Sequence, residues 1–295
     1  MKMVFISLMS IMISCGSSSP TTSDELSGVN NEDFLPKSEV IYNVQKDYYL
    51  DDFTQIDSLG NETVAKMSTD KIQKFESSED ILLQGISLCY AGKQSRGLKK
   101  LRNIYSYYKK NSSYWNQVGT CFLLKGNKRM ALLFYNKARG LSKKFTPSYN
   151  NLGVIYQLNS EDQKALVAYK KAKKVNPFSL TPNFNIAQLY LQYGFVQDAK
   201  KILDGLFNNE TSDIDIQSAR AFILMSQGNF QEAKSTYETI PRQQFSKAQF
   251  GINYALTLKF LNLDAQARSI IKNINRKTLS EYTAYYNNAR IFIGE

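Results

Sequence analysis

Histidine is missing from all 295 residues. That removes both the commonest general base and the commonest metal ligand. Cysteine is scarce: Cys15, Cys89 and Cys121, with no C-x-x-C spacing and 32 residues separating the last two. Such spacing supports neither a zinc site nor a dithiol redox motif, and Cys89 and Cys121 read as small core hydrophobes. The apolar run that opens the chain is shorter than the ~20 residues a membrane-spanning helix needs. Neither a nucleophile–base pair nor a phosphate-binding loop can be found. These gaps argue against an enzyme, and no catalytic residue, metal or cofactor is expected.

What the chain does have is enough apolar content for a sizeable core, 43% of its residues, and a net charge of +11. The charge is unevenly spread. Residues 78–179 hold nineteen Lys and Arg against four Asp and Glu, whereas residues 16–77 hold five against twelve. Residues 180–295 are nearly balanced, twelve against ten. Runs such as KKLRN, NKARGLSKK and YKKAKKVNP carry much of the basic excess. A nucleic-acid platform would interleave basic and stacking groups in one groove, so nucleic acid is not an expected partner. Anionic lipid, cell-wall polymer, an acidic partner and the chain's own acidic N-terminal segment remain open.

Residues 1–14, MKMVFISLMSIMIS, have the form of a secretory signal. The signal ends at Cys15, in the box Met12-Ile13-Ser14-Cys15, and Gly16 and a polar tract follow. This arrangement resembles a bacterial lipoprotein signal, which implies that Cys15 is the lipid anchor. Gly16 in place of aspartate implies sorting to the outer membrane, on its periplasmic face. Acyl chains contribute about 0.8 kcal/mol per buried CH₂, and several together anchor stably. Residues 15–40, rich in Ser, Thr and Asn, read as a flexible tether. Residues 41–77 form an acidic, aromatic segment with a short helix expected from Glu62.

From Ser78 onward the chain repeats every 34 residues, at Ser78, Ser112, Thr146, Leu180, Ile214 and Ala248. The eighth position is always small: Gly85, Gly119, Gly153, Ala187, Ala221 and Ala255. So is the twentieth: Gly97, Ala131, Ala165, Ala199, Ala233 and Ala267. Gly and Ala make up only 33 of the 295 residues, so twelve small residues in register are not chance. Large residues hold the eleventh position (Leu88, Phe122, Tyr156, Tyr190, Leu224, Leu258) and the twenty-fourth (Leu101, Tyr135, Tyr169, Leu203, Tyr237, Ile271). Small residues let two antiparallel helices approach, and that packing offsets the ~1 kcal/mol a mid-helix glycine costs. Gly92, Gly126, Gly194 and Gly228 suit the turns between the helices, and Pro177 ends a second helix.

Period and pattern resemble the tetratricopeptide repeat, most clearly in Tyr149, Leu152, Gly153, Tyr156, Ala165, Tyr169, Ala172 and Pro177. Trp115 stands at the family's tryptophan position. The resemblance implies an all-α fold: a right-handed superhelical solenoid of six helical hairpins over 78–281, with a capping helix at 282–295. It also implies that first helices line a concave face through positions 2, 5, 6, 9, 12 and 13. Asn116, Asn150, Asn151 and Asn185 occupy positions 5 and 6, and an amide can both donate and accept. With Leu123, Val154 and Leu191 beside them, they are expected to hold an extended segment of a partner protein, such as a subunit of an outer-membrane complex. In architecture a repeat lipoprotein of this kind resembles the pilotins of the type IV pilus secretin. The repeat lipoprotein of the β-barrel assembly machinery and an adaptor for cell-wall or polysaccharide enzymes are the alternatives.

Overall fold

The computed structural model describes residues 69–207, 213–279 and 282–295. The signal, Cys15, the tether and most of the acidic segment lie outside the described residues. Among the described residues there are helices and turns but no strand. In chain order the helices are α1 (Thr69–Glu76), α2 (Ile81–Tyr90), α3 (Gln94–Asn103), α4 (Tyr105–Tyr108), α5 (Ser112–Leu124), α6 (Lys128–Leu141), α7 (Thr146–Leu158) and α8 (Asp162–Val175). Then come α9 (Leu180–Gln192), α10 (Val196–Phe207), α11 (Ile214–Ser226), α12 (Phe230–Tyr237), α13 (Ala248–Phe260), α14 (Asp264–Lys272) and α15 (Thr283–Ile293). Two compact units divide within α9, one running up to Leu189 and the other covering Tyr190–Glu295.

Each hairpin turns on position 15 of its repeat. Gly92, Gly126, Gly194 and Gly228 have φ between 80° and 83°, the left-handed region that glycine enters without a Cβ penalty. The same position in the third and sixth repeats is Ser160 (φ 61°) and Asn262 (φ 59°). All six turns close alike: the N–H after the turn residue donates back to position 11, as in Glu161 N to Tyr156 O at 2.8 Å and Leu263 N to Leu258 O at 2.9 Å. Serine tolerates this conformation less well than asparagine. Ser160→Gly should therefore raise stability by about 0.5–1 kcal/mol and Asn262→Gly by less. Urea melts of the two variants check the order. Several helix starts are capped by side chains: Asp80, Asn111 and Asn127 accept from Leu82 N, Tyr114 N and Met130 N at 2.7–3.0 Å.

Within the hairpins, the glycine at position 8 seats the side chain at position 24. A Cβ on Gly153 would stand 2.5 Å from Tyr169 Cε1, and one on Gly119 would stand 2.7 Å from Tyr135 Cδ1. Tyr135 and Tyr169 are fully buried. Their hydroxyls are satisfied inside the hairpin, Tyr135 with Thr120 Oγ1 at 3.0 Å and Tyr169 donating to Gln157 Oε1 at 2.8 Å. Burial pushes the Tyr135 phenol above its ordinary pKa, so it stays neutral. The alanines at position 20 are likewise fully buried. In the second unit, α15 packs on α13 and α14 through Tyr286, Ala289 and Ile293. Tyr285 of α15 donates to Asn253 Oδ1 at 2.6 Å.

Cys89 and Cys121 are not the free core hydrophobes expected from the sequence: they form a disulfide with Cα atoms 5.2 Å apart. It joins α2 to α5, the first helices of consecutive repeats. The two cysteines hold positions 12 and 10 of their repeats, and stacking one hairpin on the next brings those positions face to face. Gly97 belongs to the same adjustment, because a Cβ there would meet Cys89 Sγ at 2.5 Å and Gly85 O at 2.6 Å. The first repeat alone therefore has glycine where the others have alanine.

Candidate functional site: the first-helix face

The first helices α5, α7 and α9 carry the sequences SSYWNQVGTCFLL, TPSYNNLGVIYQL and LTPNFNIAQLYLQ. Asparagine is a poor residue for a helix interior, yet all four of Asn116, Asn150, Asn151 and Asn185 lie mid-helix and fully buried. The structure brings them together as a relay of side-chain amides. Asn185 Nδ2 donates to Asn150 Oδ1 at 3.0 Å, Asn150 Nδ2 to Asn151 Oδ1 at 3.3 Å, and Asn151 Nδ2 to Asn116 Oδ1 at 3.1 Å. Both links between repeats run from position 6 of one repeat to position 5 of the repeat before, 35 residues away. The amides thus hold neighbouring hairpins in register.

The three apolar residues expected beside the asparagines are placed differently from one another. Val154 and Leu191 are buried. Leu123 is half-buried and packs on the core formed by Ala131, Tyr135, Leu152 and Ile155. It contributes to hairpin packing rather than to an open pocket.

Sequence reading passed over a second polar set on the same helices. Asn116 Nδ2, Gln117 Nε2, Ser113 Oγ, Thr181 Oγ1 and both amide atoms of Gln188 are buried, and within the described chain none has a hydrogen-bond partner. An unsatisfied buried polar group costs about 1–3 kcal/mol, so several on one face are not a neutral feature of packing. They occupy positions 2, 5, 6 and 9, all assigned inward by the repeat pattern. The signal was available in that positional rule, had it been applied to glutamine and the hydroxyls as well as to asparagine.

Chemically, the face offers amide donors and acceptors and hydroxyls beside apolar surface. That composition suits capture of a peptide backbone, which presents both donors and acceptors. Among the described residues no group of His, Cys, Asp and Glu could hold a metal ion, and no helix is long and apolar enough to cross a membrane.

The tetratricopeptide-repeat family profile matches residues 146–179, the third repeat. Similar solved structures include a chain of the APC/C hetero-tetramer Cut9–Hcn1 (15% identity, TM-score 0.61), covering 77% of this chain and 44% of that one. This chain thus spans less than half the length of that relative. The fold is that of a tetratricopeptide-repeat array. PilF of Pseudomonas aeruginosa is similar at 13% identity and TM-score 0.57, over 72% of this chain and 93% of that one. A tetratricopeptide-repeat protein from Parabacteroides merdae is similar at 16% identity and TM-score 0.51, over 73% and 83%. At these identities the likeness is one of fold alone. No curated protein matches the chain in sequence.

Proposed function

We propose that this protein is a non-enzymatic, membrane-anchored adaptor that holds an extended segment of a partner protein against the first helices of repeats two to four. The observation that carries the reading is the row of buried polar atoms at Ser113, Asn116, Gln117, Thr181 and Gln188 that have no partner among the described residues. A bound backbone would supply the missing partners. Anchoring rests on Cys15 and the signal-like run before it. The Cys89–Cys121 disulfide supports an exported protein, since disulfides persist in oxidising compartments and are rare in the cytosol. The periplasmic face of the bacterial outer membrane fits both features. Assembly of an outer-membrane complex, such as a type IV pilus secretin, is the role that best fits a lipoprotein of this architecture, and the fold shared with PilF is in keeping with it.

The test substitutes groups that the fold itself does not use. A Gln117→Met/Gln188→Met variant keeps side-chain volume and removes unsatisfied amides. Its melting temperature should equal or exceed that of the wild type. Two lost partner contacts at about 0.5–1.5 kcal/mol each should lower partner recovery from membrane extracts roughly tenfold. Equal recovery by the two proteins would show that the partner binds elsewhere.

A further inference from the structure

Between Asp80 and Glu161 the chain contains fourteen Lys and Arg and no acidic residue. Within this stretch, α6 carries Arg129, Leu133, Lys137 and Leu141 at intervals of four, all exposed. Basic and apolar side chains therefore alternate along about 18 Å of one helix face. Leu133 is 57% exposed and Leu141 42%. Beside the stripe lies α4, where Tyr107 is 86% exposed. Trp115 fixes the two elements to each other. Its ring stacks on Phe134 of α6 (5.3 Å, 6°), meets Tyr105 of α4 edge-on at 5.7 Å, and lies 3.6 Å beneath Lys137 Nζ. Its indole N–H donates to Lys109 O at 2.9 Å.

We infer that this surface, the outer face of α4 and α6, docks reversibly on an anionic lipid bilayer. The charge attracts anionic headgroups, each basic residue near the surface adding about fivefold in affinity. The apolar residues decide against a soluble polyanion. Leu133, Leu141 and Tyr107 gain nothing from such a partner but enter the headgroup–acyl boundary, while Arg129 and Lys137 between them reach the phosphates. The inference takes its setting from the membrane-anchored reading, but its chemistry stands on these residues alone.

The test uses the full chain carrying Cys15→Ser, so that no acyl anchor contributes. Co-sedimentation should be strong with vesicles of about one-third phosphatidylglycerol in phosphatidylcholine, and at least tenfold weaker with phosphatidylcholine alone. Brominated lipid should quench Trp115, the one tryptophan in the chain. Tyr107→Ser/Leu133→Ser, which leaves the charge intact and alters exposed positions, should bind at least fivefold more weakly and lose the quenching. Arg129→Glu/Lys109→Glu should also lose binding. No sedimentation with anionic vesicles would overturn the inference. So would unchanged binding by the Tyr107/Leu133 variant alongside loss in the charge-reversed one, because the surface would then be a general polyanion site for nucleic acid or acidic protein. Membrane fractionation of Cys15→Ala in cells tests the anchor separately, so either idea can fail without the other.

Discussion

Opening the Cys89–Cys121 bridge should lower the stability of the array by about 2–4 kcal/mol. A cross-link spanning 32 residues removes loop-closure entropy from the unfolded chain worth about 3.7 kcal/mol at 25 °C. Both sulfurs are buried, Cys121 completely, so reduction also leaves two thiols crowded where one bridge fitted. The effect should be local before it is global. Repeat arrays are stabilised by each hairpin and its neighbours, and this bridge ties the first hairpin to the second. A melt with excess reductant, and one of the Cys89→Ala/Cys121→Ala variant, should show the transition lowered by on the order of 10 °C. Hydrogen exchange should quicken most in α2 and α3. Identical melts with and without reductant would mean that the cysteines are free in the folded protein. The main structural support for export would then be lost.

Gly153→Leu should be at least as damaging, at about 3 kcal/mol or more. Helix propensity favours the change by about 1 kcal/mol, so propensity alone predicts a gain. Packing opposes it. The new Cβ would stand 2.5–2.6 Å from Tyr169 Cε1 and Cδ1, and the ring is fully buried and tied through its hydroxyl to Gln157. Gly153→Ala should cost less, about 1–2 kcal/mol, because Ala221 and Tyr237 show that alanine and tyrosine can share these two positions. Gly153→Leu/Tyr169→Ala should recover part of the loss, a coupling that a double-mutant cycle measures. Urea melts supply all four stabilities. If Gly153→Leu melts like the wild type, position 8 does not seat the side chain at position 24.

How far the sequence could be read followed from which contacts are local. Gly153 and Tyr169 sit in one hairpin, sixteen residues apart, and recur at the same spacing in each repeat. The period exposes them. The glycine turns were legible for the same reason, but Ser160 and Asn262 escaped because residue type rather than position 15 was followed. Contacts between hairpins were not legible. The disulfide and the asparagine relay each need one repeat stacked on the next, with offsets of 32 and 35 residues on either side of the 34-residue period. A period fixes register along the chain but not the slip between stacked helices, two positions at the disulfide and one the other way at the relay. The repeat pattern alone turns the asparagines toward a partner. What the structure shows is that they bond to one another, while Gln117 Nε2 and both amide atoms of Gln188, unremarked in the sequence, have no partner among the described residues, and neither does Asn116 Nδ2. Of the three apolar residues expected beside them, Val154 and Leu191 are buried and Leu123 is half-buried against the core of its hairpin and the next.

The most direct measurement of the central claim is the side-chain amide spectrum of the full chain, titrated with the partner segment recovered from membrane extracts. A backbone lying on the first helices should shift the Gln117, Gln188 and Asn116 side-chain signals and slow their exchange with water, since it would give those amides the partners they lack. Gln163 and Gln231, exposed on second helices, should not move. If instead Gln163 and Gln231 shift while Gln117, Gln188 and Asn116 stay where they were, the first-helix face is not the binding site and the account is wrong.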